Sequence, residues 1–198
     1  MIPEMDNPRI LDLGCGSGVP TMELARLSRG QITALDIDQD QIERLARKIE
    51  SDGLTDRVKT VKSSVFELEF PEQSFDIIWA EGSIAIVGFE RGLREWKRFL
   101  KPRGFLVVHD DQGNREAKFR QIADCGYELL GHFELDEEVW GNEYYRPLQK
   151  LVDETRKKAS CYPRLLSQLK REQQEIEVYK KNPSHCSSIF FVMRVRKK

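Results

Sequence analysis

The chain has 198 residues, 39% of them hydrophobic, which suits one globular domain with a sizeable core. Its formal net charge of -1 excludes an overall field that would draw it to nucleic acid or to a membrane surface. No apolar run approaches the ~20 residues of a membrane span, and no basic stretch followed by an apolar one opens the chain as a secretory leader would.

The elements follow in chain order. "RILDL" (9–13) is a short apolar run, a buried strand ending at glycines. Residues 21–30 read as a helix stopping at Gly30, and "QITALDI" (31–37) as a second strand. Ile42, Leu45, Ala46 and Ile49 mark one helical face, closed by Gly53. "RVKTVKSS" (57–64) and "SFDIIWAE" (74–81) are the third and fourth strands. Phe89, Leu93, Trp96 and Leu100 form another helical stripe, which Pro102 and Gly104 end. "FLVVHD" (105–110) is strand five, 114–125 a helix and "YELLGHFEL" (127–135) strand six. Such alternation with short loops implies a parallel sheet covered on both faces.

That rhythm breaks after residue 135. Residues 137–182 read as a helical insertion that caps the substrate, and "SSIFFVMRV" (187–195) as the last strand of a single domain. Residues 136–198 hold 14 basic and 9 acidic side chains against 18 and 24 in residues 1–135, so the tail differs in character. Cys15, Cys125, Cys161 and Cys186 show no C-x-x-C spacing. They read as free thiols in a reducing cytoplasm, with no metal site.

The chemistry starts at "RILDLGCGSG". Gly14, Gly16 and Gly18 stand at alternate positions after the first strand, with Asp12 just before them. In α/β sheets ligands bind at the carboxyl ends of strands, where glycine lets a backbone approach closely. A diphosphate would meet Asp12 at a cost exceeding ~1 kcal/mol. A cationic, phosphate-free nucleoside reverses that sign: Asp12 can receive its ammonium group, and the helix start after Gly18 its carboxylate. Asp36 ends strand two, 20 residues after Gly16, the spacing of a ribose anchor. The competing reading makes both acids helix caps or turn residues.

"ILDLGCGSG", "ALDID", "LEFPEQSFDIIWAEGS" and "LREWKRFLKPRGFLVVHD" together resemble the successive motifs of class I S-adenosylmethionine-dependent methyltransferases. The resemblance runs from about residue 9 to residue 110, and "WGNEYYRPL" with "SIFFVMRV" resembles a small-molecule branch. It implies a Rossmann-like α/β fold with a seven-stranded, mostly parallel sheet of order 3-2-1-4-5-7-6 and strand seven antiparallel. The cofactor it implies is S-adenosyl-L-methionine. Asp12, Gly14, Cys15, Gly16 and Gly18 belong to its site, with Asp36 and Ile37 after strand two. Ser64 stands where the family carries an acid toward adenine, and the backbone of Val65 supplements it. About eight residues precede strand one, fewer than the family's usual helical cover; an open site, the tail helices or another subunit are the alternatives.

Methyl transfer needs positioning and exclusion of water, and a base only for a protonated acceptor. Glu81, after "DIIWA", is the first candidate for acceptor and proton, against a reading as a helix cap. His109 is the second. Asp110 and Asp111 read as caps of the following helix. Trp140, Tyr144 and Tyr145 form an aromatic wall toward the acceptor, or else pack the insertion. Cys15 reads more readily as packing than as a nucleophile. The expected partner is a small-molecule acceptor, with neither nucleic acid nor membrane, and a homodimer is left open. Alternatives are a non-catalytic cofactor sensor and, through Glu81 with Glu90, protein arginine methylation.

Overall fold

The computed structural model describes residues 1–157 and 163–197. Cys161, expected as a free thiol, and residues 158–162 of the expected insertion lie outside the described residues. Two compact units result: Met1–Phe133 with Phe190–Lys198, and Glu134–Ile189.

In the first unit β1 (Arg9–Leu13), β2 (Gln31–Asp36), β3 (Val58–Lys62), β4 (Phe75–Glu81) and β5 (Leu100–Asp111) alternate with helices α1 (Val19–Leu27), α2 (Gln39–Ser51), α3 (Ser83–Val87) and α4 (Phe89–Trp96). Then come α5 (Arg115–Asp124) and β6 (Tyr127–Leu135), and β7 (Ser188–Val195) completes the sheet. Its order is β3-β2-β1-β4-β5-β7-β6, as the resemblance implied, and the pairs β1–β2, β1–β4, β2–β3 and β4–β5 are parallel. Ile10, Leu11, Asp12 and Leu13 are all buried, because helices cover both faces. Ile10, Ile32, Leu45, Ile49, Ile77 and Phe105 form one core cluster. Asp38 caps α2 by accepting from the Asp40 and Gln41 amides.

Two elements differ from the expected ones. The strand after α4 begins at Leu100, so Pro102 and Gly104 lie inside β5. The pairing passes from Phe75–Leu100 to Ile77–Phe105, and the surplus residues bulge outward with Arg103 at φ 63°. Lys101 anchors the bulge to Asp76 at 2.7 Å. The short α3 was not expected, since its five residues, SIAIV, are too few and too apolar to show helical periodicity.

The second unit holds α6 (Glu137–Trp140), a π-helical turn Gly141–Tyr145, α7 (Arg146–Arg156) and α8 (Pro163–Lys181). Pro147 offers no N–H to the turn before it, which fits the wider coil there. Tyr145, Val152, Leu169 and Ile176 make this unit's own core.

Candidate cofactor and active site

The loop after β1 is tied to β2 by its own backbone. The amides of Gly14 and Cys15 both donate to the Leu35 carbonyl, at 2.8 and 2.9 Å. The Gly16 amide donates to Asp36 Oδ2 at 2.8 Å, and the Asp38 amide to Oδ1 at 2.9 Å. Each carboxylate oxygen therefore keeps acceptor capacity while its direction is fixed. Asp36 is thus no helix cap; Asp38 takes that part. Ile37, beside it, is 68% exposed, an apolar surface open to a flat ligand.

The three glycines answer to different neighbours. A Cβ on Gly18 would lie 2.2 Å from Leu45 Cδ1, and one on Gly14 2.8 Å from Ser83 Cβ. Those two let helices pack. Only at Gly16 does the missing Cβ face open space, with φ at 50°. Of the three, only Gly16 leaves the open space that a close backbone approach to a ligand would use.

Asp12 corrects an expectation. It is 1% exposed, buried at the end of β1 and not open to solvent. Thr21 Oγ1 donates to its Oδ2 at 2.5 Å. Burial, reinforced by Glu81 and Asp36 and opposed by the Thr21 hydrogen bond, pushes its carboxyl up to about 7. Cys15 sits in the core, and burial first, then Asp12 and Asp36, pushes its thiol up to about 12. That protonated thiol is packing, with no nucleophilic character.

Glu81 ends β4 next to His109 of β5 in register. Trp79, on the same side of the strand two residues earlier, donates its indole N–H to Glu81 Oε1 at 2.7 Å. Burial raises the Glu81 carboxyl despite that bond. Glu81 does not cap α3, whose cap position is Gly82. His109 stacks on Phe190 with centroids 4.4 Å apart, and burial lowers its imidazole toward the neutral form. Ser83 Oγ donates to the Leu13 carbonyl at 2.6 Å, locking the ends of β4 and β1 together. Trp79, Thr21 and Ser83 are thus site-building residues that the sequence reading did not single out.

Ser64 spends its hydroxyl locally, accepting from the Phe66 amide at 3.2 Å, and Val65 follows half-buried. Asp110 and Asp111 do not cap α5, where Asn114 holds the cap position. They grip buried Lys118 instead, at 2.7 and 3.3 Å. Glu90 pairs with Arg94 on the exposed face of α4, which leaves the paired-glutamate reading without its second acid. In the second unit Trp140, Tyr144 and Tyr145 pack on one another with centroids 5.0–6.4 Å apart, and Tyr145 stacks on Tyr179 at 4.0 Å. Trp140 and Tyr145 thereby serve that unit's core, while Tyr144 stays 39% exposed. Among the described residues no cluster of three or more His, Cys, Asp or Glu is arranged to hold a metal.

This glycine loop over β1, an acid ending β2 and the 3-2-1-4-5-7-6 sheet define the fold of class I S-adenosylmethionine-dependent methyltransferases. Over residues 10–104 the chain matches the family model described as "Methyltransferase domain". It is similar to sterol 24-C-methyltransferase ERG6B of Gibberella zeae, 33% identical over 103 residues, which are 52% of this chain and 27% of that protein. The 27-O-demethylrifamycin SV methyltransferase of Amycolatopsis mediterranei is 29% identical over 143 residues, 69% of this chain and 53% of that one. The chain thus spans between about a quarter and a half of these relatives' length. A solved methyltransferase from Thiobacillus denitrificans in complex with S-adenosyl-L-homocysteine has the same fold. Its TM-score is 0.74 at 19% identity, covering 98% of this chain and 87% of that one.

Proposed function

We propose that the chain binds S-adenosylmethionine over the carboxyl ends of β1, β2 and β4 and transfers its methyl group to a small-molecule acceptor. One observation carries the reading. Asp12 lies near the end of β1, between β2, which ends at Asp36, and β4, which ends at Glu81, and Gly16 in the loop above has its open face free. Among the described residues none of the three has an ion-pair partner. Such a site favours a cation and repels a diphosphate. The residues present fit the cofactor: Asp36 for the ribose hydroxyls, Ile37 and the Ser64–Val65 backbone for the base, and the amides of Val19 and Thr21 for its carboxylate.

When bound, the cofactor supplies an activated methyl group on a sulfonium. The protein's own work is positioning. Glu81 Oε1 is taken by Trp79, which leaves Oε2 to accept a proton from the acceptor or to hold a cationic amine. Neutral His109 alongside is the second acceptor of a proton. The curated relatives act, by their names, on a sterol and a rifamycin, which supports a small-molecule acceptor here. Among the described residues no helix is long and apolar enough to cross a membrane. The free thiols Cys15, Cys125 and Cys186 suit a reducing, cytoplasmic setting.

Release of the demethylated cofactor across a panel of sterol, polyketide and amine acceptors tests this reading. Turnover on one of them is expected. Tight cofactor binding with no turnover on any would make the chain a binding module. With an acceptor in hand, Glu81→Gln is expected to slow transfer about 100-fold, the lower range for a general base, with cofactor affinity unchanged. An equal rate would leave Glu81 as a structural partner of Trp79.

A further inference from the structure

We infer that the methyl acceptor is an amphiphile whose apolar, ring-bearing body, about 7–13 Å long, lies in a cavity along one face of β4 while its nucleophilic group reaches Glu81. This deepens the proposed function and rests on its placing of Glu81 at the acceptor. Ile77, Trp79 and Glu81 stand two residues apart and share one face of β4, while Ile78 and Ala80 share the other. Ile78 and Ala80 are fully buried, whereas Trp79 and Glu81 are only half-buried. Over the less covered face lies a cavity of about 1030 Å³, all of it within the first unit. Ile77 and Trp79 line it, together with Ile10, which pairs with Ile77 from β1. Ile2 and Met5, which also pack on the core cluster of Ile10 and Ile77, add apolar wall. Glu4, Asp6, Arg26 and Arg29 line it as well, two of each sign, so the cavity selects no net charge.

One side chain joins this cavity to the reacting end. Trp79 lines the cavity and gives its indole N–H to Glu81 Oε1 at 2.7 Å. Phe190 lies beside it, with ring centroids 6.3 Å apart, and His109 stacks on Phe190. Such rings offer a planar ligand face and edge contacts that an alkyl chain does not match. Strand rise sets the length: along β4, Trp79 stands about 7 Å from Glu81 and Ile77 about 13 Å. A shorter acceptor with its nucleophile at Glu81 Oε2 leaves the apolar wall untouched. An apolar pocket with one polar group at its end binds an amphiphile in a single orientation.

Fluorescence titration with phenyl-naphthylamine, a neutral ring amphiphile, tests the cavity directly. The wild type is expected to bind one probe per chain, saturably. Trp79→Ala is expected to weaken the probe by about tenfold or more, through loss of a side chain that buries about 150–250 Å². Trp79→Phe keeps a ring and is expected to lose far less. Met5→Glu places a charge in the apolar wall from a segment with neither helix nor strand, and is expected to weaken the probe too; it decides alone should Trp79→Ala fail to fold. Naphthylethylamine, a cation, is expected to displace the probe. Glu81→Gln is expected to weaken this cation by about tenfold or more and to leave the neutral probe unchanged. Absence of saturable uptake, uptake that folded Trp79→Ala and Met5→Glu leave intact, or an equal effect of Glu81→Gln on both ligands would overturn the inference. So would a probe affinity that falls as protein concentration rises, since a second copy would then fill the cavity. Calorimetry of S-adenosylmethionine on the same proteins separates the two levels. Cofactor binding without probe binding overturns this inference and leaves the proposed function standing. Failure of the cofactor to bind would overturn the proposed function, and this inference with it.

Discussion

Asp36→Ala is expected to weaken S-adenosylmethionine binding by about 10- to 150-fold, the 1.5–3 kcal/mol of a hydrogen bond to a charged group. The size follows from the double duty of this carboxylate. It receives the Gly16 and Asp38 amides, and so holds the glycine loop against the end of β2. Its remaining acceptor capacity is what a ribose diol would use. Alanine removes both the ligand contact and the order of the loop that cradles it. Asp36→Asn keeps one acceptor oxygen and is expected to fall between. Calorimetry with S-adenosylhomocysteine reads all three proteins, and undiminished affinity in Asp36→Ala would remove this residue from the site.

The glycine series should split into two outcomes. Gly18→Ala and Gly14→Ala are expected to lose about 2–5 kcal/mol of stability, combining left-handed strain of about 1–2 kcal/mol with overpacking of about 1–3 kcal/mol. The new methyl would run into Leu45 in one case and Ser83 in the other, at φ values of 83° and 74°. For a chain of this length that lowers the thermal midpoint by about 4–20 °C. Gly16→Ala meets nothing in the fold and pays only the strain, about 1–2 kcal/mol. Its methyl enters the space assigned to the ligand, so cofactor affinity is expected to fall by more than 30-fold. Thermal melting without ligand and calorimetry with it separate the two. If Gly16→Ala bound the cofactor normally, the cradle would lie elsewhere.

Much of the sheet was legible because β1, β4, β5 and β7 are buried along most of their length and read as apolar runs. The acid spacing from Gly16 to Asp36 was legible for the same reason: one strand–helix–strand unit fixes it. What the sequence hid is whatever depends on packing between distant segments. Periodicity does not show that Gly18 faces Leu45, nor that Thr21 reaches back to Asp12. A guarding acid at the loop mouth and one buried at the end of β1 look identical in "LDLGCG". Trp79 was within reach, since residues two apart on a strand share a side with Glu81. The aromatic run Trp140–Tyr144–Tyr145 left both a wall and a packing role open; Trp140 and Tyr145 pack in a small core, while Tyr144 stays partly exposed. The β5 bulge and α3 were hidden because proline and glycine look like a stop, and a five-residue helix carries no period.

The central claim is that a phosphate-free cation, and no diphosphate, occupies the acid-lined crevice over β1, β2 and β4. Titrating the protein in a calorimeter with S-adenosylmethionine and, separately, with NAD tests it most directly. The account predicts saturable binding of the sulfonium compound and none of the dinucleotide. Uptake of NAD with no heat from S-adenosylmethionine would contradict it.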